Sequence, residues 1–485
     1  MPRKVIISDM AWLELKTLDP LLIHRLKNEL TIYPHVSPRF KPAAKDYHPI
    51  ILWKEDRGFL GVPRAYFLQR AKTLYDIEWK VSDGGNLSRR IVNKFAPSMR
   101  EEQGPVVQAA LDRLQGKGDI SFTIGGIIRC RKGFGKTLLG LEVAYRLGMR
   151  TLIIVQTNLL AAQWERAIKE WYPGAKIGKI QGKDIDYNKK DFTVAMLQTL
   201  LESHSRKFTP LFYWEFGTVI TDEVNRLGAP EWSRVAPMFK CKYRIGLTAT
   251  LDRFDHCEKV FLYHIGQIIA GTSEEQDAEA LQPKILRVFT DFEIFRSSGF
   301  DPDRMSRDTL LKPLVRDGER SNLIVRKIME AYEKDRNILV LTERLEQIKI
   351  LMELLKQALL LRGSETSEVG VMIGGMKIDE IEKSSLCRII LATFQYFSVG
   401  GDVPRLDTLF FATPKIGIDQ SIGRILREMP EKVLDDHHTP IVVDFCDWRM
   451  PVFRKDAIRR MSYYREHGWV VGDTNKPKSF GGESC

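Results

Sequence analysis

The chain of 485 residues is 44% hydrophobic and 28% charged, an ordinary globular composition long enough for two to four domains. No apolar run approaches the length that spans a bilayer, and residues 1–9 lack the apolar stretch of a secretion signal. A membrane-spanning or secreted protein is therefore set aside in favour of an intracellular one, in the cytoplasm or nucleoid of a bacterial host or its equivalent.

The net charge is +11, and residues 1–100 hold 18 Lys/Arg against 10 Asp/Glu, which is +8 of that total. Aromatics interleave with the charge: Trp53, Phe59, Tyr66, Phe67, Tyr75 and Trp79. A surface that neutralises phosphates and stacks bases needs this mixture, with Arg64, Arg89 and Arg90 as candidate phosphate contacts. The alternative is a solvated basic face over core aromatics. Broken apolar patterns and turn signals at 35–42 and 83–86 mark residues 1–95 as a compact basic segment, expected to be an α+β accessory domain and a candidate for nucleic-acid contact. Six cysteines, scattered without C-x-x-C spacing, argue against a zinc site or a disulfide framework and for a reducing compartment.

Over residues 96–280 short β-branched runs alternate with helical ones. Strands are predicted at 126–129, 151–156, 192–197, 219–222 and 243–247, and a helix at 138–147. Such alternation predicts a parallel sheet with its chemistry at the carboxyl ends of the strands. After the first strand comes Cys130-Arg131-Lys132-Gly133-Phe134-Gly135-Lys136-Thr137. A Gly-rich loop between strand and helix turns backbone N–H groups onto phosphate oxygens, Lys136 reaches the β and γ phosphates, and Thr137 holds Mg²⁺. The generic G-x-x-x-x-G-K-[ST] pattern fails at Cys130, whereas the form small-x-x-G-x-G-K-T fits. Asp222-Glu223 ends a later strand: Asp222 is placed to coordinate Mg²⁺ through water and Glu223 to orient and deprotonate an attacking water. ATP and Mg²⁺ are the expected cofactors.

A polar, acidic stretch at 273–277 marks a connection, and a second alternating series fills 281–472. Its strands are predicted at 337–341, 370–373, 388–392, 408–412 and 441–445. It has no second Gly-Lys-Thr, which suggests a nucleotide clamped between two α/β domains. Gln420-Ser421-Ile422-Gly423-Arg424-Ile425-Leu426-Arg427 places two arginines on one face of a predicted helix, suited to reach the γ-phosphate as arginine fingers. Residues 473–485, polar and rich in glycine, are expected to be a flexible tail.

In this order the motifs resemble those of superfamily 2 DEAD/DEAH-like helicases over residues 99–450. Met99-Arg100-Glu101-Glu102-Gln103 resembles the adenine-reading segment, Thr157–164 motif Ia, and residues 195–200 the second strand-contact motif. Asp222-Glu223-Val224-Asn225 stands at the DEAD/DEAH box and residues 247–250 at the motif coupling the two sites. Residues 339–342, 392–404 and 420–427 resemble motifs IV, V and VI. Gly-Phe-Gly-Lys-Thr, Gln163-Trp164 and Gly401-Asp402-Val403-Pro404 are most similar to XPB-like and to phage and viral recombination and repair translocases.

The resemblance implies two tandem RecA-like parallel-sheet domains behind the smaller accessory domain. It implies an ATP site of Gln103, Gly133, Phe134, Gly135, Lys136, Thr137, Gly401, Asp402 and Gln420, with Arg424 and Arg427 stabilising the transition state. Thr157, Gln198, Thr199 and Thr393 are implied contacts to a nucleic-acid strand. The expected protein is a monomeric DNA-dependent ATPase and helicase acting on duplex, forked or branched DNA, with single-stranded DNA-binding or replication proteins as partners. The alternatives are an RNA helicase and a non-hydrolytic, ATP-gated nucleic-acid clamp. Four positions depart from the family: Cys130 in the loop, Asn225 for histidine, Gln156 for the usual proline of motif Ia, and Val399 for glutamate in motif V.

Overall fold

The computed structural model describes residues 3–35, 48–71, 77–81, 99–116, 124–131, 133–202, 208–228, 232–251, 255–272, 282–295, 301, 304–400, 403, 405–423, 425–426 and 439–476. Among these, no helix is long and apolar enough to cross a membrane. The chain divides into two units, Met1–Asp277 and Ala278–Cys485.

The first unit begins with β1 (Arg3–Ile7), β2 (Ala11–Glu14), α1 (Pro20–Glu29), the short strands β3 (Thr31–Ile32) and β4 (Ile50–Ile51), β5 (Lys54–Asp56), β6 (Phe59–Val62), α2 (Arg64–Ala71) and β7 (Ile77–Val81). Five of these strands form a sheet in the order β5-β6-β2-β1-β7, antiparallel except for the β1–β7 pair. Asp19 caps α1 by accepting from the Leu21 N–H at 2.8 Å, with Pro20 at the first helical position. Tyr66 and Phe67 are buried in the core of this segment, which also takes in Ile124, Cys257 and Val260 from the region that follows. Those two rings are core residues and not a base-stacking surface.

The larger sheet of the unit is built from β8 (Gly125–Arg129), β9 (Thr151–Val155), β10 (Ile177–Gln181), β11 (Asp184–Asp186), β12 (Phe192–Met196), β13 (Thr218–Asp222), β14 (Tyr243–Thr248) and β15 (Ile268–Gly271). Their order is β11-β10-β12-β9-β13-β14-β8-β15, parallel throughout except at β11. The helices are α3 (Gln103–Gln115), α4 (Lys136–Leu147), α5 (Asn158–Trp171), α6 (Leu197–Glu202) and α7 (Glu258–His264). Every position of β9, β12, β13 and β14 is buried, as a parallel strand covered on both faces requires. The register sets Thr248 opposite Arg129 and Asp222 opposite Leu247, so the carboxyl ends of β8, β14 and β13 form one edge.

The second unit carries β16 (Lys284–Phe289), β17 (Ile338–Thr342), β18 (Val369–Met372), β19 (Ile389–Thr393), β20 (Thr408–Phe411), β21 (Ile441–Cys446) and β22 (Val471–Thr474). They form an all-parallel sheet in the order β18-β19-β17-β20-β21-β16-β22. The expected tail is thus shortened: Gly472, Asp473 and Thr474 belong to an edge strand, and Asp473 accepts from Arg287 Nε at 2.8 Å and Nη2 at 2.9 Å. Residues 477–485 lie outside the described residues, as do the turns expected at 36–42 and 83–86 and the connection at 273–277. Two arginines are buried against the carboxyl end of β21: Arg320 on Asp447 at 2.6 Å and Arg460 on Asp444 at 2.7 Å. Each carboxylate compensates one guanidinium, which is what keeps such charges tolerable inside a core.

Candidate active site

The phosphate loop runs from β8 to α4. Gly133 (φ 82°) and Gly135 (φ 89°) take left-handed backbone that a side chain resists, whereas Cys130 does not, so the loop has no need of glycine there. Cys130 is buried and its N–H donates to the Thr248 carbonyl at 3.1 Å, which ties the loop to the end of β14. A Cβ on Gly135 would meet Gln103 Nε2 at 2.6 Å.

Gln103 is buried beneath the loop. Its Nε2 donates to the Phe134 carbonyl at 2.7 Å and its Oε1 accepts from the Arg100 N–H at 2.9 Å. The side chain expected to read adenine is therefore engaged in holding the loop. Phe134 is fully buried, with the Arg100 and Arg131 guanidinium carbons 5.5 and 5.3 Å from its ring centre. Glu102 pairs with both, at 3.2 Å to Arg100 and 3.7 Å to Arg131. The extra charge at Arg131 thus belongs to a clamp around Phe134, with Arg100 Nη2 also donating to the Gly133 carbonyl at 3.2 Å.

Asp222 is buried at the end of β13. Its Oδ2 accepts from the Trp164 indole N–H at 2.9 Å and its Oδ1 from the Glu223 N–H at 3.0 Å. Burial, and then the neighbouring Glu223 carboxylate, push its carboxyl up to about 6, against the pull of the Trp164 hydrogen bond and of Lys136. Trp164 is a fixed donor that the sequence did not single out; its place in the Gln163-Trp164 pair was the only sign. Glu223 turns out of the strand with φ 48°, a left-handed conformation for a residue with a side chain. Lys136 and Thr137 open α4, both half-buried. The Thr137 hydroxyl and the Asp222 carboxylate are hard oxygen donors of the kind Mg²⁺ takes alongside phosphate oxygens and water. Among the described residues no three His, Cys, Asp or Glu side chains cluster as an all-protein metal site.

The expected nucleic-acid contacts fare differently. Thr157 caps α5, its hydroxyl accepting from the Leu160 N–H at 3.3 Å, and remains half-buried. Thr199 is buried and accepts from the Gly182 N–H at 2.9 Å, which fixes the turn after β10 instead of facing a ligand. The Gln198 side chain donates to the Gln156 carbonyl at 2.9 Å, and Thr393 accepts from the Tyr396 N–H at 3.4 Å.

Arg64 is a correction. Its side chain is 2% exposed, and it donates to the carbonyls of Cys241 and Lys242, both at 2.6 Å, so it holds the N-terminal segment in place and is out of reach of a phosphate. Arg89, Arg90, Gly401, Asp402, Arg424 and Arg427 lie outside the described residues. The helix expected to carry the two arginines is described only as Asp419–Ile422, which includes the backbone of Gln420.

A phosphate loop, a strand-end carboxylate pair and a parallel sheet define a nucleoside-triphosphatase of the RecA-like class. Residues 96–253 match the family model described as the res subunit of type III restriction enzymes. The chain is 27% identical over 461 residues to a protein of Acanthamoeba polyphaga mimivirus named as an ATP-dependent RNA helicase, covering 94% of this chain and 83% of the viral protein. It is 27% identical over 355 residues to a protein of Escherichia phage T5 named as a helicase, covering 71% and 72% of the two chains. The fold is similar to that of Saccharomyces cerevisiae Dbp5 bound to RNA and ADP BeF3, with a TM-score of 0.53, 13% identity, and coverage of 76% and 90%. In its motifs and in these relatives the chain is similar to the superfamily 2 DEAD/DEAH-like helicases.

Proposed function

We propose that this helicase is a DNA-dependent ATPase that moves along duplex or branched DNA, remodelling forks or junctions in replication, recombination or repair. The observation that carries the ATPase half is the shared sheet edge: the Gly133–Gly135 loop, Thr248 and the Asp222-Glu223 pair end three neighbouring strands. Lys136 and the loop N–H groups bind the triphosphate, and Thr137 and Asp222 would hold Mg²⁺, which would supply positive charge beside the phosphates. Trp164 fixes the Asp222 carboxylate, and Glu223 accepts the proton of the attacking water. Arg424 and Arg427 supply guanidinium charge to the transition state. Gln103 sets the loop's shape from below.

Support for DNA comes from motif forms similar to the repair translocases; the basic first hundred residues favour a nucleic acid of either kind. An RNA helicase is the second reading, favoured by the name of the mimivirus relative. ATPase assays with duplex, forked and single-stranded DNA and with RNA separate them. Forked or duplex DNA should stimulate turnover about tenfold more than RNA, the scale of a coupling between two sites; the reverse order would establish the RNA reading. Lys136→Ala should lose ATP binding, and Glu223→Gln should bind ATP without turning it over.

A further inference from the structure

Gln156, the residue standing where motif Ia usually has proline, follows the last residue of β9 and is almost wholly buried. Its Nε2 donates to the Asp222 carbonyl at 3.0 Å and, at longer range, to the Glu223 carbonyl at 3.4 Å. Its own main-chain carbonyl accepts from Gln198 Nε2 at 2.9 Å, and Gln198 sits exposed at the start of α6. A continuous set of hydrogen bonds thus runs from an exposed amide on the strand-contact edge, through one buried glutamine, to the backbone of both active-site carboxylates.

The Gln156 Oε1 atom is buried and has no hydrogen-bond partner among the described residues. Leaving a buried acceptor unsatisfied costs about 1–3 kcal/mol, so for packing alone an apolar residue of the same size would serve better. What the amide supplies is its donor end, on the two carbonyls that flank the left-handed turn at Glu223. A non-glycine residue at φ 48° is held there by its surroundings, and it has an alternative in the ordinary right-handed region. A shift of that backbone toward the ordinary region would give the second state that coupling between sites requires.

We propose that Gln156 is the positioning residue through which nucleic acid at Gln198 and Thr157 controls the water-orienting carboxylate Glu223. A phosphate that draws the Gln198 amide away frees the Gln156 carbonyl, and the grip of the Gln156 side chain on the Glu223 backbone changes with it. The inference rests on the nucleic-acid-dependent ATPase reading above. It names the route by which stimulation reaches the chemistry.

The test uses the full chain with Gln156→Leu and Gln156→Met, both of which remove the donors. The Glu223 carbonyl keeps its bond from the Arg226 N–H at 3.0 Å, so the turn retains a partner. Four quantities are measured: melting temperature, nucleic-acid affinity by anisotropy, KM for ATP, and kcat with and without whichever nucleic acid stimulates the parent best. Gln156→Leu should stay folded, bind nucleic acid and ATP within about twofold, and lose about tenfold in the ratio of stimulated to unstimulated kcat. A structural role alone would lower the melting temperature and leave that ratio in place. Combining Gln156→Leu with Gln198→Leu should lose no more of the ratio than the worse single variant, because both interrupt one path. A parent-like ratio in either folded Gln156 variant overturns the inference and leaves the ATPase reading standing. A parent that no nucleic acid stimulates overturns both.

Discussion

Glu223 shows how local backbone and chemistry trade against each other. An L-residue in the left-handed region carries a cost of about 1–2 kcal/mol that glycine escapes. Glu223→Gly should therefore be more stable than Glu223→Ala by about 1 kcal/mol in denaturant melts, the reverse of the order in an ordinary strand or helix, although both lose turnover. Equal stability of the two would mean that the turn relaxes freely and holds no strain. That the loop glycines, Lys136 and the Asp222-Glu223 pair stand at strand ends was legible in the sequence, because each follows an apolar, β-branched run. The positions of Gln103, Thr199 and Arg64 were not. The destination of a long or small polar side chain is decided by which strand end the fold brings near it, and here those were the Phe134, Gly182 and Cys241 backbone groups.

At the scale of elements, α7 and α2 form the seam between the N-terminal segment and the larger sheet of the first unit. Tyr66 of α2 and Tyr263 of α7 meet edge to face with ring centres 4.9 Å apart. Arg64 fastens α2 to the chain just before β14, and replacing it with Met should leave two buried carbonyls without donors. A loss of about 2 kcal/mol is expected, with no change in the salt dependence of nucleic-acid binding. A shallower salt slope at unchanged stability would restore Arg64 to the phosphate contacts.

His264, the last residue of α7, is buried beside Arg244, and burial, with that charge second, holds its pKa down at about 3. The folded form resists a proton that the unfolded chain takes up near its ordinary value of about 6.5, so stability falls as pH drops below that value, by up to about 1.4 kcal/mol per unit. His264→Leu should flatten this limb of the stability curve between about pH 6 and 4, read from urea midpoints at each pH; an unchanged limb would place the acid sensitivity elsewhere.

The central strands of both sheets were legible because a strand buried on both faces reads as an unbroken apolar run. β10, with Gly178 and Lys179 inside it, and β22, with Gly472 and Asp473, carry no such run, and their pairing comes from neighbours distant in sequence.

For the chain as a whole, the placement of the N-terminal segment matters more than its charge. Arg244 near the start of β14 donates to the carbonyl of Asp9 at 2.6 Å and of Phe239 at 2.9 Å, and Ile124, just before β8, lies in the N-terminal core. These are the amino ends of β8 and β14, whose carboxyl ends carry the phosphate loop and Thr248, beside Asp222 at the end of β13. Strands of five or six residues rise about 3.3 Å per residue, so the N-terminal sheet is fixed roughly 16 Å from the chemistry, on the opposite edge. A segment sharing a core with the sheet behind it is part of one folding unit and not an appendage.

Deleting residues 1–95 should accordingly strip the cover from Ile124, Cys257 and Val260 and take the Asp9 acceptor from the buried Arg244 guanidinium, each a route to severe destabilisation. The expected outcome is an insoluble or unfolded first unit. In the intact chain, hydrogen exchange should give slow amides of β1, β2 and β6 the same opening free energy as those of β8 and β14. A soluble truncation that still binds ATP, or N-terminal amides that exchange well before those of the larger sheet, would show that the two sheets fold separately.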